Sequence, residues 1–222
     1  MMNNKKDNLG GTGKIWVTSD THFHHKNIVK GCSEWVVQEP ESSHRIQKVR
    51  NFKSLEEHDN QLITNFNKLI AEDDILYHLG DWSFGGIESI WNFRKMLRCR
   101  TIHLIYGNHD EKIEADRELP NTGELRSAQS LFNSVAHYKE ITINKQKICM
   151  SHYSMRVWNK AHKGAIMLYG HSHGTLPEET NRKSMDVGVD TNDLKPYLLN
   201  DIIEKLNKRS VINVDHHTEA TN

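Results

Sequence analysis

Apolar positions in this chain alternate between short unbroken runs and longer stripes at helical spacing. Ile15, Trp16 and Val17 open the first run, and residues 14–19 read as a short buried strand. Ser54-Leu55-Glu56-Glu57 is a capping box, with a serine hydroxyl and a glutamate carboxylate meeting exposed backbone N–H groups. Leu55, Leu62, Phe66, Leu69 and Ile70 continue it as a helix. Residues 75–79 form a second strand, 87–97 a helix with Ile87, Ile90, Trp91 and Leu97 on one side, and 101–106 a third strand. That order predicts parallel pairing through right-handed crossovers.

The pattern then changes. Residues 111–130 are charged, carry Pro120 and Gly123, and read as loop with a little helix. Two strands, 135–143 and 146–150, make a hairpin about Asn144-Lys145. Residues 165–169 and 183–189 give further strands, and 196–208 a final helix with Leu198, Ile202, Ile203 and Leu206 inward. The expected organisation is a polar lead-in over 1–13, one domain over 14–208 and a polar tail over 209–222. Residues 31–50 read as a lid or insert within the domain. The expected fold class is α/β, a sandwich of two sheets flanked by helices.

Composition narrows the function. The chain has 222 residues with 29 basic and 29 acidic side chains, so no broad basic surface for nucleic acid is indicated. No apolar run reaches bilayer length, and the first eight residues are not a signal peptide. Cys32, Cys99 and Cys149 lie far apart and read as reduced thiols, which points to a cytoplasmic protein.

The unusual count is 15 histidines. Gly170-His171-Ser172-His173-Gly174 places two imidazoles in a glycine-flanked turn directly after a strand. In an ideal strand residues i and i+2 face the same side, and glycines let the backbone turn and approach a ligand closely. Alone, such a pair is a common surface coincidence. Other strands, however, deliver Asp20 and His22, then Asp81, then Asn108, His109 and Asp110, then His152. In open α/β sheets that rim is where ligands bind. Carboxylates, imidazoles and one amide oxygen, without thiolates, suit divalent ions of intermediate hardness. They are too many for one tetrahedral site and suit two ions about 3.5–4 Å apart that share a carboxylate.

Asp-x-His, Gly-Asp, Gly-Asn-His-Asp, a lone His and Gly-His-x-His, in that order, resemble the signature of the calcineurin-like metallophosphoesterases. The resemblance runs from Lys14 to about Val189. The wording of Ser19-Asp20-Thr21-His22-Phe23 and Met185-Asp186-Val187-Gly188-Val189-Asp190 resembles a branch of small bacterial and phage members. It implies a four-layer α/β/β/α sandwich of two mixed sheets flanked by helices, with a dinuclear site at the strand C-terminal ends. Asp20, His22 and His173 would hold one metal, Asn108, His152 and His171 the other, and Asp81 would bridge them. A hydroxide between the ions would attack phosphorus, His109 would protonate the leaving oxygen, and Asp110 would orient that imidazole. The implied cofactors are two divalent ions, manganese first, with iron, zinc, nickel or magnesium as alternatives. The implied substrate is a phosphodiester or phosphomonoester, nucleotides among the candidates.

Arg156, His25 and Asn27 are candidate substrate contacts. Phe84 stands where the purple acid phosphatase branch carries a metal-binding tyrosinate, which excludes that chemistry. The chain departs from its branch at His24, where glycine is usual, and at Ser154, where proline is common. The rival readings are a non-catalytic scaffold of the same fold and an enzyme that processes nucleic-acid ends.

Overall fold

The computed structural model describes residues 13–29, 49–119, 127–212 and 214. The expected lead-in, most of the 31–50 segment and most of the tail therefore lie outside the described residues. Strands β1 (Ile15–Thr18), β2 (Ile75–His78), β3 (Thr101–Ile105) and β4 (Ser134–Ala136) run parallel in one sheet. β9 (Tyr197–Leu198) pairs antiparallel with β1, giving the order β4-β3-β2-β1-β9. The second sheet has the order β5-β6-β7-β8, from Tyr138–Ile143, Gln146–Ser151, Ile166–Tyr169 and Ser184–Asp186. The fold is the expected sandwich of two mixed sheets flanked by helices.

Alternation along each strand builds the layers. Trp16, Leu76, Ile102 and Leu104 face outward to α1 (Leu55–Leu69) and α2 (Ile87–Met96), meeting Leu62, Phe66, Ile90 and Phe93. Val17, Tyr77 and Ile105 face inward, against Ile148, Met150, Ile166 and Leu168 of the second sheet. Strands buried on both faces read as continuous apolar runs, which is why these were legible. The cap of α1 forms with a small shift: Ser54 Oγ accepts from the Glu57 N–H at 3.1 Å, while the Glu57 carboxylate takes the Lys53 N–H at 2.8 Å.

Two expected elements differ in the structure, and a third is located. The run expected as one strand over 135–143 divides at His137. Ala136 pairs with Ile105 in the first sheet and Tyr138 with Ser151 in the second. Both halves are extended, so periodicity carries no sign of the break. The expected helix over 196–208 is preceded by β9 and starts at Leu199, as α4 (Leu199–Asn207). Inside 111–130 the little helix is α3 (Glu111–Glu114). On the outer face of the second sheet, Trp158, Met155 and Ala161 cover Cys149, Met167 and Tyr169. The hairpin turn is as expected: Asn144 (φ 47°) and Lys145 (φ 69°) are both left-handed, the pairing a two-residue type I′ turn requires.

The sheets meet at their carboxyl ends. Ser19, just past β1, bridges Gly188, just past β8, and the Val189 N–H donates to Ser19 O at 3.0 Å. This junction assembles the candidate site. Among the described residues, no helix is long and apolar enough to cross a membrane.

Candidate metal centre

Five of the seven candidate ligands leave their strands through an unusual backbone. Asp20 (φ 57°), His22 (46°), Asp81 (56°), His171 (66°) and His173 (48°) are all left-handed. Such positions cost non-glycine residues about 1–3 kcal/mol each and persist where the surroundings over-determine them. Hydrogen bonds between turns supply that determination. The Asp20 and His22 N–H groups donate to Gly80 O and Asp81 O at 2.9 and 3.0 Å, locking the first two turns together. The His171 N–H points at the Asp20 carboxylate, 2.9 and 3.0 Å from its oxygens. Gly170 makes room for this approach, since a Cβ there would stand 2.0 Å from Ser19 Oγ and 2.5 Å from Asp20 Oδ2.

Two clusters result. Asp20, His22 and His173, all buried, bring three ligand atoms within 4.8 Å of one another, as do Asp81, His152 and the exposed His171. Asp81 stands between them, its Oδ2 3.4 Å from His22 Nε2 and 3.6 Å from His152 Nε2. Asn108 Oδ1 lies 2.9 Å from both His152 Nε2 and His171 Nδ1. The left-handed turns send His171 and His173 to different clusters, which an extended His-x-His could not do.

The donor set fits cations. His152 Nδ1–H donates to Leu79 O at 2.8 Å, so in the neutral ring Nε2 carries only a lone pair, and it faces the oxygen of Asn108. His173 Nδ1–H donates to Asp190 at 2.6 Å, leaving its Nε2 lone pair 3.3 Å from His22 Nε2. Lone pairs and carboxylates converging in a buried space satisfy one another through a cation.

Burial pushes Asp20 up to about 8, against the pull of His173, with Asp186 and Asp81 adding to the rise. Burial, then His173, holds His22 well below its ordinary value. Stability of the metal-free protein follows. Folded Asp20 keeps a proton that the unfolded carboxyl sheds near 3.8, so its contribution is whole below that pH and lost as pH rises through 8. His25 and His78, driven by burial to about 4 and about 3, act in the opposite sense, but only below their ordinary 6.5. Urea unfolding in chelator is therefore expected to show a loss of about 1–2 kcal/mol between pH 7 and 8.5. Saturation with a divalent ion should remove that loss.

The structure places the remaining sequence candidates as follows. His109 is exposed, its N–H donating to Asp81 Oδ1 at 3.0 Å and its ring 4.6 Å from Phe84 and 5.6 Å from His22. Asp110 was expected to orient that ring. Instead its two oxygens take the N–H groups of Asp81, Trp82 and Gly107 at 2.8, 3.0 and 2.8 Å, and it binds the two turns together. Three converging N–H dipoles hold the carboxylate more firmly than an exposed imidazole could. His25 stacks on Phe84 at 3.7 Å, beside His22 and one ring away from His109. Asn27 is exposed in a short turn of helix. Arg156 lines a separate groove with Trp158, His162 and Arg182, and among the described residues it makes no hydrogen bond to either cluster.

Sequence reasoning missed Arg50, which is fully buried and forks onto Asp190. Asp190 serves side chains, whereas Asp186 serves backbone, accepting from Gly174 and Gly188 at 2.9 and 2.8 Å. The departure at His24 is explained. The residue is left-handed (φ 65°), as a glycine there would be, and Asp59 accepts from both its N–H and its ring at 2.9 and 3.1 Å.

Comparison with known proteins agrees with this geometry. The chain is 27% identical over 206 residues to the uncharacterized protein MJ1445 of Methanocaldococcus jannaschii, covering 90% of this chain and 94% of that one. It is 24% identical over 218 residues to the Gene 66 protein of Mycobacterium phage D29, covering 86% and 98%. In fold it is similar to the protein of unknown function AQ665 from Aquifex aeolicus, with TM-score 0.59, 21% identity, and 87% and 99% of the two chains covered. Residues 14–188 match the calcineurin-like phosphoesterase superfamily domain. With its sandwich fold, its two strand-end clusters and a match over most of its length, this protein belongs to the calcineurin-like phosphoesterase superfamily.

Proposed function

We propose that the protein hydrolyses phosphoesters with two divalent cations, small phosphodiesters or phosphomonoesters such as nucleotides being the substrate class. Asp20, His22 and His173 hold one cation, Asn108, His152 and His171 the other, and Asp81 both. The observation that supports this reading most is Asp81 Oδ2 standing 3.4 and 3.6 Å from a histidine of each cluster. Manganese is the first candidate, because imidazole and carboxylate donors without thiolate suit ions of that hardness. When bound, such a pair supplies a water ionised near neutral pH and offsets charge gathering on phosphoryl oxygens.

The chain's own residues do the rest. Leu79 O and Asp190 fix the tautomers of His152 and His173 so that each presents Nε2 to its cluster. Asp110 ties the turn of Asp81 to the turn of Asn108, setting the spacing between clusters. His109 stands at the exposed edge with its backbone anchored on Asp81, where its ring can give a proton to the departing oxygen.

Metal-stripped protein is expected to be inactive on p-nitrophenyl phosphate and bis-p-nitrophenyl phosphate, and to recover with manganese. Activity that survives exhaustive chelation would overturn the proposal. His109→Ala is expected to lose about 10²–10⁴-fold on an alkyl phosphoester and much less on p-nitrophenyl esters, whose leaving group needs no proton. Equal losses on both would remove His109 from the acid role.

A further inference from the structure

The least expected buried charge in the molecule is Arg50. Its side chain has no exposure, and each of its five N–H donors has a partner. Nε and one terminal nitrogen fork onto the Asp190 carboxylate at 2.5 and 2.9 Å. That same terminal nitrogen donates to Asp20 O at 2.5 Å. The other terminal nitrogen donates to Thr21 O at 3.2 Å and to His58 Nε2 at 2.9 Å. The chain continues outward, because His58 Nδ1–H donates to Asp59 at 3.0 Å and Asp59 holds His24.

Every inward contact of Arg50 ends on the Asp20/His22/His173 cluster. Asp190 fixes the ring of His173. The Asp20 and Thr21 carbonyls belong to the left-handed stretch that aims Asp20 and His22. Among the described residues, Arg50 makes no hydrogen bond to Asp81, Asn108, His152 or His171; Leu79 O holds His152 and Asp110 holds the Asp81 N–H. The clusters touch through the Asp20 carboxylate, which accepts the His171 N–H, but Arg50 braces only the first of them directly.

We propose that Arg50 is a positioning residue for the Asp20/His22/His173 cation site alone, acting through Asp190 and the Asp20-Thr21 backbone. This rests on the two-cation reading above. Lysine cannot substitute, since an ammonium has three donors and no planar fork.

The test is metal counting by equilibrium dialysis against manganese, followed by elemental analysis and electron paramagnetic resonance. Wild type is expected to hold two ions per chain. Arg50→Lys, Arg50→Met and Asp190→Asn are each expected to hold one at the same free manganese, with the weakened site at least tenfold poorer. The resonance of the remaining ion should be that of an isolated manganese. Arg50→Met combined with Asp190→Asn should weaken binding by less than the two single effects multiplied, because both cut the Arg50–Asp190 fork. Should Arg50→Met fail to fold, Asp190→Asn, which keeps size and shape, and Arg50→Lys carry the test. Variants that keep two ions at wild-type affinity, or that weaken both sites equally, overturn this inference. A wild type that binds no ion overturns the two-cation reading instead.

Discussion

Replacement of Asp81 by asparagine is expected to lower phosphoester hydrolysis about a thousandfold or more while leaving the fold intact. The substitution keeps an oxygen where Oδ1 accepts the His109 N–H. What it removes is the charge on Oδ2, which lies within 3.6 Å of a histidine nitrogen of each cluster. A carboxylate shared by two cations contributes to both sites, and a loss of about 4 kcal/mol at the transition state is a thousandfold in rate. Saturating kinetics on bis-p-nitrophenyl phosphate, alongside circular dichroism, would measure this. A rate within tenfold of wild type in a folded Asp81→Asn protein would show that the clusters do not act together.

The largest stability effect is expected at Gly80, which hands β2 over to Asp81. Its φ of 97° disfavours any side chain, and an added Cβ would lie 2.4 Å from the Gly107 nitrogen and 2.6 Å from the Gly107 Cα. Those are backbone atoms of the neighbouring turn, tied to Asp110, and they cannot rotate away. Gly80→Ala is therefore expected to cost about 3 kcal/mol, from left-handed strain and overpacking together. Urea unfolding reads this as a lower midpoint at unchanged slope. A change below about 1 kcal/mol would mean the two turns are less tightly coupled than their hydrogen bonds imply.

These predictions show which parts of the molecule were legible beforehand. The parallel half of the first sheet was, because fully buried strands and amphipathic helices differ in period. The switch of sheets at His137 was not, since a strand reads the same in either sheet. Asp20, Asp81, Asn108, His152, His171 and His173 stood out because each follows an apolar run directly, so order along the chain reports position on the rim. The left-handed backbones of Asp20, Asp81, His171 and His173 were hidden, and with them the reason why His171 and His173 part company.

Support residues were the hardest to see. Arg50 and Asp190 are 140 positions apart, and nothing local in either sequence marks a partner. Asp110 follows His109 directly, yet its carboxylate turns to backbone N–H groups rather than to the neighbouring ring. Adjacency along the chain is a poor guide to what a buried carboxylate will satisfy.

The central claim, two adjoining cation sites sharing Asp81, is tested most directly by crystals of manganese-loaded protein measured at the manganese absorption edge. The account predicts two anomalous peaks per chain, about 3.5–4 Å apart, one beside His22 and His173 and the other beside His152 and His171. A single peak, or a pair with no contact to Asp81, would contradict it.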